Sequence, residues 1–94
     1  MFYFYGKWNS AVDDRGRFFI PSVFKKDLKE CIIIRNNGNI LIYRKKGKLP
    51  FPEIYRKMPD RQGRILIPRQ LREGWPGKII ELIGKGEYLE LRRI

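Results

Sequence analysis

The chain has no histidine and one cysteine, Cys31. A metal site of Cys/His type is excluded by that count, and so is an intrachain disulfide. Catalysis through histidine or a Cys–His pair is excluded with them. No glycine-rich phosphate loop of the P-loop kind occurs either. Cysteine usage gives no support for secretion. No apolar run reaches the roughly 20 residues of a membrane-spanning helix. The aromatic start, Phe2-Tyr3-Phe4-Tyr5, ends at Gly6-Lys7, so no signal-peptide core forms. Acids are scarce, with ten Asp/Glu against 21 Lys/Arg. Asp13, Asp14 and Asp60 are candidate carboxylates for a nuclease-like metal site, yet each stands close to an arginine in a turn, which suits a salt link better. The inventory therefore points away from an enzyme, and no cofactor, metal or small-molecule substrate is expected. The expected location is the cytoplasm, without membrane association.

What is present in excess is positive charge. The formal net charge is +11 over 94 residues. That balance calls for a polyanionic partner, and nucleic acid is the leading candidate. The length makes one domain, 1–94, with a core small enough to gain from partner subunits. Cys31 opens the apolar run Cys31-Ile32-Ile33-Ile34 and reads as a small core residue.

The chain also repeats itself. Asp13-Asp14-Arg15-Gly16-Arg17-Phe18-Phe19-Ile20-Pro21 returns 47 positions later as Asp60-Arg61-Gln62-Gly63-Arg64-Ile65-Leu66-Ile67-Pro68. Ile32-Ile33 then meets Ile79-Ile80. After a one-residue shift, Gly38, Leu41 and Arg44 meet Gly86, Leu89 and Arg92. Such a repeat means two copies of one supersecondary unit closing a shared core. The copies are read as 4–46 and 54–94, joined by a stiff Pro/Gly connector, 47–53.

Each copy reads as strand, turn, strand, short helix, strand, turn, strand. Lys7 to Val12 is the first strand. Asp13 to Gly16 is a turn, and Arg17 to Ile20 is a second strand. Pro21 and Pro68 stop strands and open short helices. Phe24 with Leu28, and Leu71 with Trp75, then lie four apart on one helical face. Asn36-Asn37-Gly38-Asn39 and Gly84-Lys85-Gly86-Glu87 are hairpin turns. Tyr88-Leu89-Glu90-Leu91 alternates, which predicts one wet face. Eight short strands fit a small closed, mainly β barrel, in which closure removes the edges.

The two Asp-x-x-Gly-Arg-x-x-Ile-Pro blocks resemble the MraZ family, within the AbrB/MazE/MraZ-like (SpoVT-AbrB) group of swapped-hairpin barrels. The flanks agree: Phe4-Tyr5-Gly6 before the first block, Ser22-Val23-Phe24-Lys25 after it, and Leu71-Arg72-Glu73 after the second. Leu82-Ile83-Gly84-Lys85-Gly86-Glu87-Tyr88-Leu89-Glu90 is similar to the family's ending. The resemblance covers nearly the whole chain. It implies a pseudo-two-fold swapped-hairpin barrel and a sequence-specific, nucleoid-associated transcriptional regulator. It implies double-stranded DNA as partner, read as short promoter repeats, and homo-oligomers that include rings. It also implies Asp13 with Arg17, and Asp60 with Arg64, as the DNA-reading elements. The chain departs from the family between the halves, where only Lys45 to Arg56 replaces a longer helical segment. That segment contributes to subunit packing in the family.

Chemically, an Arg fork can take two acceptors on guanine or hold a phosphate. Asp13 and Asp60 can equally clamp Arg17 and Arg64 across the turn. The reading adopted combines the two, with Asp orienting Arg and Arg meeting DNA. Arg15 and Arg61 sit at the loop tips, where reach is greatest. Lys25 and Arg72 follow the loops as candidate phosphate contacts, with Lys26 and Arg69 beside them. Gly16 and Gly63 shape the turns. Trp8, Trp75 and the tyrosines read as core or subunit contact rather than base-stacking groups. The alternative function is an RNA-binding or ribosome-associated small basic barrel.

Overall fold

The computed structural model describes residues 3–94 apart from 27, 46, 48, 53 and 54. Strands dominate: β1 Lys7–Ala11, β2 Arg17–Phe19, β3 Cys31–Asn36, β4 Asn39–Arg44, β5 Arg56–Lys57, β6 Arg64–Leu66, β7 Ile79–Gly84 and β8 Tyr88–Arg93. All run antiparallel. Six form one sheet in the order β1-β7-β8-β4-β3-β5, and β2 and β6 pair as a separate ribbon. The fold is thus barrel-like, with the eight strands among the described residues divided into six and two. Phe18 and Ile65 from the ribbon share one core with Ile33, Ile42, Leu82 and Leu89 from the sheet.

The expected helices are smaller than the sequence implied. Each is a single 3-10 turn, Ser22–Phe24 and Arg69–Leu71, with no side-chain cap at Pro21 or Pro68. After Arg69–Leu71 the chain makes only isolated turns, Arg72 to Trp75 and Trp75 to Lys78, before β7, so the helix does not propagate. The apolar pairs still do their work, since Phe24, Leu28, Leu71 and Trp75 are all buried. Trp8 packs partly buried against the core, whereas Tyr3 and Tyr5 are exposed.

The copies exchange strands. β1 of the first pairs with β7 of the second, and β5 of the second pairs with β3 of the first. In the ribbon, Phe18 lies opposite Ile65, its own counterpart, so a pseudo-two-fold axis passes through that pair. The same axis crosses β4–β8 at Leu41 opposite Glu90.

This second crossing corrects the repeat register. Leu41 and Leu89 are not counterparts, because Leu89 lies opposite Ile42 in the core while Leu41 is outside that cluster. Cys31 matches Ile80 instead, pairing Lys57 as Ile80's partner strand pairs at Ser10. The second copy therefore gains two residues in the Pro76-Gly77 stretch between Trp75 and Ile80. An even insertion keeps every side chain on its face, whereas a shift of one would turn the strand inside out.

A second correction concerns β8. Glu90 is only 8% exposed, and Arg92 Nε donates to its carboxylate at 2.9 Å. On that outer face Phe51 packs against the sheet through an aromatic chain. Phe51 meets Tyr43 edge-on at 4.9 Å, Tyr43 meets Tyr88 at 5.2 Å, and Ile32 and Leu41 are buried beneath.

Cys31 is fully buried, and burial first, then the Glu30 charge, pushes its thiol up to about 12. The native protein is expected to resist a thiol reagent at pH 8 and to react fully once unfolded in guanidinium. Rapid labelling under native conditions would contradict this placement.

Candidate nucleic-acid interface

Each Asp-x-x-Gly-Arg block builds the same loop. Asp13 Oδ1 accepts from the backbone N–H of Arg15 (2.9 Å) and of Arg17 (2.8 Å), and its Oδ2 accepts from Arg17 Nε at 2.7 Å. Asp60 does the same with Gln62 (2.9 Å), Arg64 N–H (2.9 Å) and Arg64 Nε (2.8 Å). Gly16 and Gly63 donate back to the Asp carbonyls in the left-handed region, at φ 86° and 80°. Across the axis, Ile20 N–H donates to the Gly63 carbonyl and Ile67 N–H to the Gly16 carbonyl, both at 2.9 Å. The loops are thereby fixed to one another.

The geometry makes the clamp real without consuming the arginine. Only Nε of Arg17 and Arg64 is engaged; among the described residues their terminal nitrogens take no hydrogen bond. About a quarter of each side chain is exposed, 27% and 23%. With Phe18 and Ile65 inward, Arg17, Phe19, Arg64 and Leu66 share the outer face of the ribbon. There Arg17 stands opposite Leu66 and Phe19 opposite Arg64. Arg15 and Arg61 are exposed on the loops.

Lys25 and Arg72 belong to the same sites by a route the sequence did not reveal. The Arg72 stem packs over Gly16, where a Cβ would meet its Cδ at 2.6 Å, and Arg72 Nε donates to the Ile67 carbonyl at 3.0 Å. The Lys25 stem packs over Gly63 in the same way. Each copy's cation thus roofs the other copy's loop, and glycine is needed beneath it. Phe19, 53% exposed, was also missed. Its signal was alternation, because it lies between buried Phe18 and Ile20 and shares Arg17's face.

The loops carry a pH signature. Desolvation acts to raise the Asp13 carboxyl, but the hydrogen bonds from Arg17 and Arg15 and the Arg17 charge hold it below the usual value. For Asp60 the Arg64 N–H is the largest influence, and the result is again a lowered carboxyl. A carboxyl depressed in the folded state stabilises above its unfolded pKa, and that stabilisation is lost as pH falls through the folded value. Wild type is therefore expected to lose stability on acidification below pH 4, and Asp13→Asn/Asp60→Asn to lose less over that window. Parallel acid-unfolding curves would contradict it. Both pairs are partly exposed, so the effect is modest.

No family model matches the chain. Individual relatives do. The chain is 31% identical to the "Transcriptional regulator MraZ" of Acetivibrio thermocellus over 94 positions, covering 74% of this chain and 66% of the relative. It is 30% identical to that of Moorella thermoacetica over the same shares. The MraZ of Heliobacterium modesticaldum is 26% identical over 113 positions, covering 94% of this chain and 79% of the relative.

The chain belongs to the MraZ family.

It spans about two-thirds to four-fifths of these relatives' lengths. The 113-position alignment exceeds the chain's own 94 residues, so that MraZ has residues inside the matched span that this chain lacks. Among the described residues, no helix is long and apolar enough to cross a membrane.

Proposed function

We propose that the chain is a DNA-binding transcriptional regulator that docks on duplex DNA through the two Asp-clamped loops and the outer face of the β2–β6 ribbon. The observation that carries this is a matched pair of arginines flanking a pseudo-two-fold axis on an antiparallel ribbon. Each is held at Nε and has both terminal nitrogens to offer. A two-stranded ribbon fits the major groove, and a guanidinium aimed by a carboxylate can take guanine O6 and N7 together. Lys25, Arg72, Arg15 and Arg61 then answer phosphates around it and fix register. Phe19 offers an apolar face to a thymine methyl beside Arg64.

The two sites are alike but not identical. Arg15 matches Gln62 and Asp14 matches Arg61, so each loop reads its own few base pairs. Homo-oligomers on successive repeats would supply the remaining specificity through effective concentration.

The test is anisotropy with a duplex from upstream of the chain's own gene, a scrambled duplex and an RNA competitor, across salt. Preferred binding to the upstream duplex is expected, with a log–log salt slope near roughly −5 for about six phosphate contacts. Preference for RNA would favour the ribosome-associated alternative. No salt-dependent binding to any nucleic acid would sink the proposal.

A further inference from the structure

The two copies differ where one segment crosses the sheet. The N-terminal segment Phe4-Tyr5-Gly6 passes directly over Gly84 of β7, with the Tyr5 backbone where a Cβ would stand. That crossing carries Phe4 into the core, edge-on to Phe24 at 5.0 Å, and Trp8 meets the same ring at 5.4 Å. In the other copy the offset of 47 makes Phe51-Pro52 the equivalent of Phe4-Tyr5, Tyr55 of Trp8 and Leu71 of Phe24. Beyond the two-residue gain, Gly84 is matched by Arg35 of β3.

A side chain at position 35 bars the crossing that glycine permits. Phe51 accordingly stays half-buried and outside the core cluster, its ring edge-on to Tyr43 at 4.9 Å. Beside it is a cleft of about 220 Å³ walled by Ile33, Ile34, Phe51, Tyr55, Leu71 and Arg35. Its equivalent in the other copy is the place that the Phe4 ring fills. An apolar cavity of about 150 Å³ holds one benzene ring, so this cleft has room for one ring and a short substituent. Arg35 supplies a polar end to an otherwise apolar wall. Its Nη2 donates to the Gln70 carbonyl at 3.1 Å, and among the described residues its Nε and Nη1 take no hydrogen bond. A guanidinium steadied in this way is suited to a carboxylate.

We propose that this cleft binds a small aromatic carboxylate of one ring. The ring lies on Leu71 as Phe4 lies on Phe24, and the carboxylate pairs with Arg35. None of the cleft residues belongs to the proposed duplex interface, so this site stands or falls independently of DNA binding.

The test is an NMR amide-shift titration of the full chain with phenylacetate, compared with its neutral amide, phenylacetamide. Saturable shifts are expected at Ile33, Ile34, Tyr55 and Leu71, with a Kd on the order of 1 mM for a ligand this small. Phenylacetamide should bind about tenfold more weakly, for want of the charge-assisted bond. Arg35→Gln, at an exposed position, should reduce phenylacetate to the affinity of the amide and leave the amide unchanged. Leu71→Phe puts the residue of the filled copy into the cleft and should abolish binding of both ligands. If Leu71→Phe does not fold, Arg35→Gln decides alone. Absence of saturable shifts at the cleft overturns the proposal. Phenylacetate binding that either folded variant leaves at wild-type strength overturns it too. Shifts of the same amides with protein concentration alone would show a second copy of the chain filling the cleft, and would also overturn the assignment to a small acid.

Discussion

Gly84→Ala is expected to be the most damaging glycine substitution in the chain, costing about 3 kcal/mol or more. A Cβ at Gly84 would run into the backbone N, Cα and carbonyl carbon of Tyr5. Backbone cannot swing aside as a lysine stem can. The N-terminal segment is also pinned on both sides of the clash. Phe4 N–H donates to Gly86 at 2.8 Å, Gly86 N–H donates back at 2.9 Å, and Gly84 N–H donates to Gly6 at 2.8 Å. Relief therefore means breaking those bonds and lifting Phe4, 2% exposed and edge-on to Phe24 at 5.0 Å, out of the core. A domain of this size has only about 5–14 kcal/mol in total. Gly77→Ala is the control, with φ at 76° but nothing within 4 Å of a Cβ, so it bears only the left-handed backbone cost of about 1–2 kcal/mol. Urea denaturation should give a large fall in midpoint for Gly84→Ala and a small one for Gly77→Ala. Equal midpoints for the two variants would show that the N-terminal segment is not packed as described.

The same glycines show how far the sequence could be read. A tandem Asp-x-x-Gly-Arg block made the two loops, their turns and their arginines legible, because Asp, Gly and Arg each answer a local demand within five residues. The strand count was legible for a similar reason: hairpin turns and alternation are local. What sequence spacing could not reveal was which copy lies over which. Lys25 over Gly63 and Arg72 over Gly16 are contacts between copies, so no window along the chain holds both partners. The hairpin register failed for a related reason. Gly38 and Gly86 invited a shift of one, while the face of each strand is decided by its neighbours, which demand a shift of two. Glu90 looked wet because alternation describes one face of a strand and says nothing of what packs on the other, where Arg92 lies on Glu90 and Phe51 on Tyr43.

Arg17→Ala/Arg64→Ala is expected to leave the fold standing and remove most of the duplex preference. Asp13 and Asp60 still accept from the N–H groups of residues 15, 17, 62 and 64, and those bonds do not depend on the arginine side chain. The lost ion pairs are partly exposed, so their contribution to stability is small, and the melting temperature should stay near wild type. Binding is another matter. A bidentate arginine–guanine contact contributes about 1–3 kcal/mol of discrimination, and two would contribute about 2–6. At about 1.4 kcal/mol per tenfold, that is a loss of roughly 30-fold to beyond 10⁴-fold in preference for the upstream duplex. Residual, salt-sensitive binding to any duplex should persist through Lys25, Arg72, Arg15 and Arg61. Asp13→Asn/Asp60→Asn separates aiming from charge. It keeps both guanidiniums and removes two negative charges, so nonspecific affinity should rise while preference falls. If the alanine double variant keeps wild-type preference, the arginines are only clamps for their turns, and reading must lie elsewhere on the ribbon. If both variants lose preference, one by losing the guanidinium and the other by losing its orientation, then the spacing of four between Asp and Arg is a reading device rather than a turn staple.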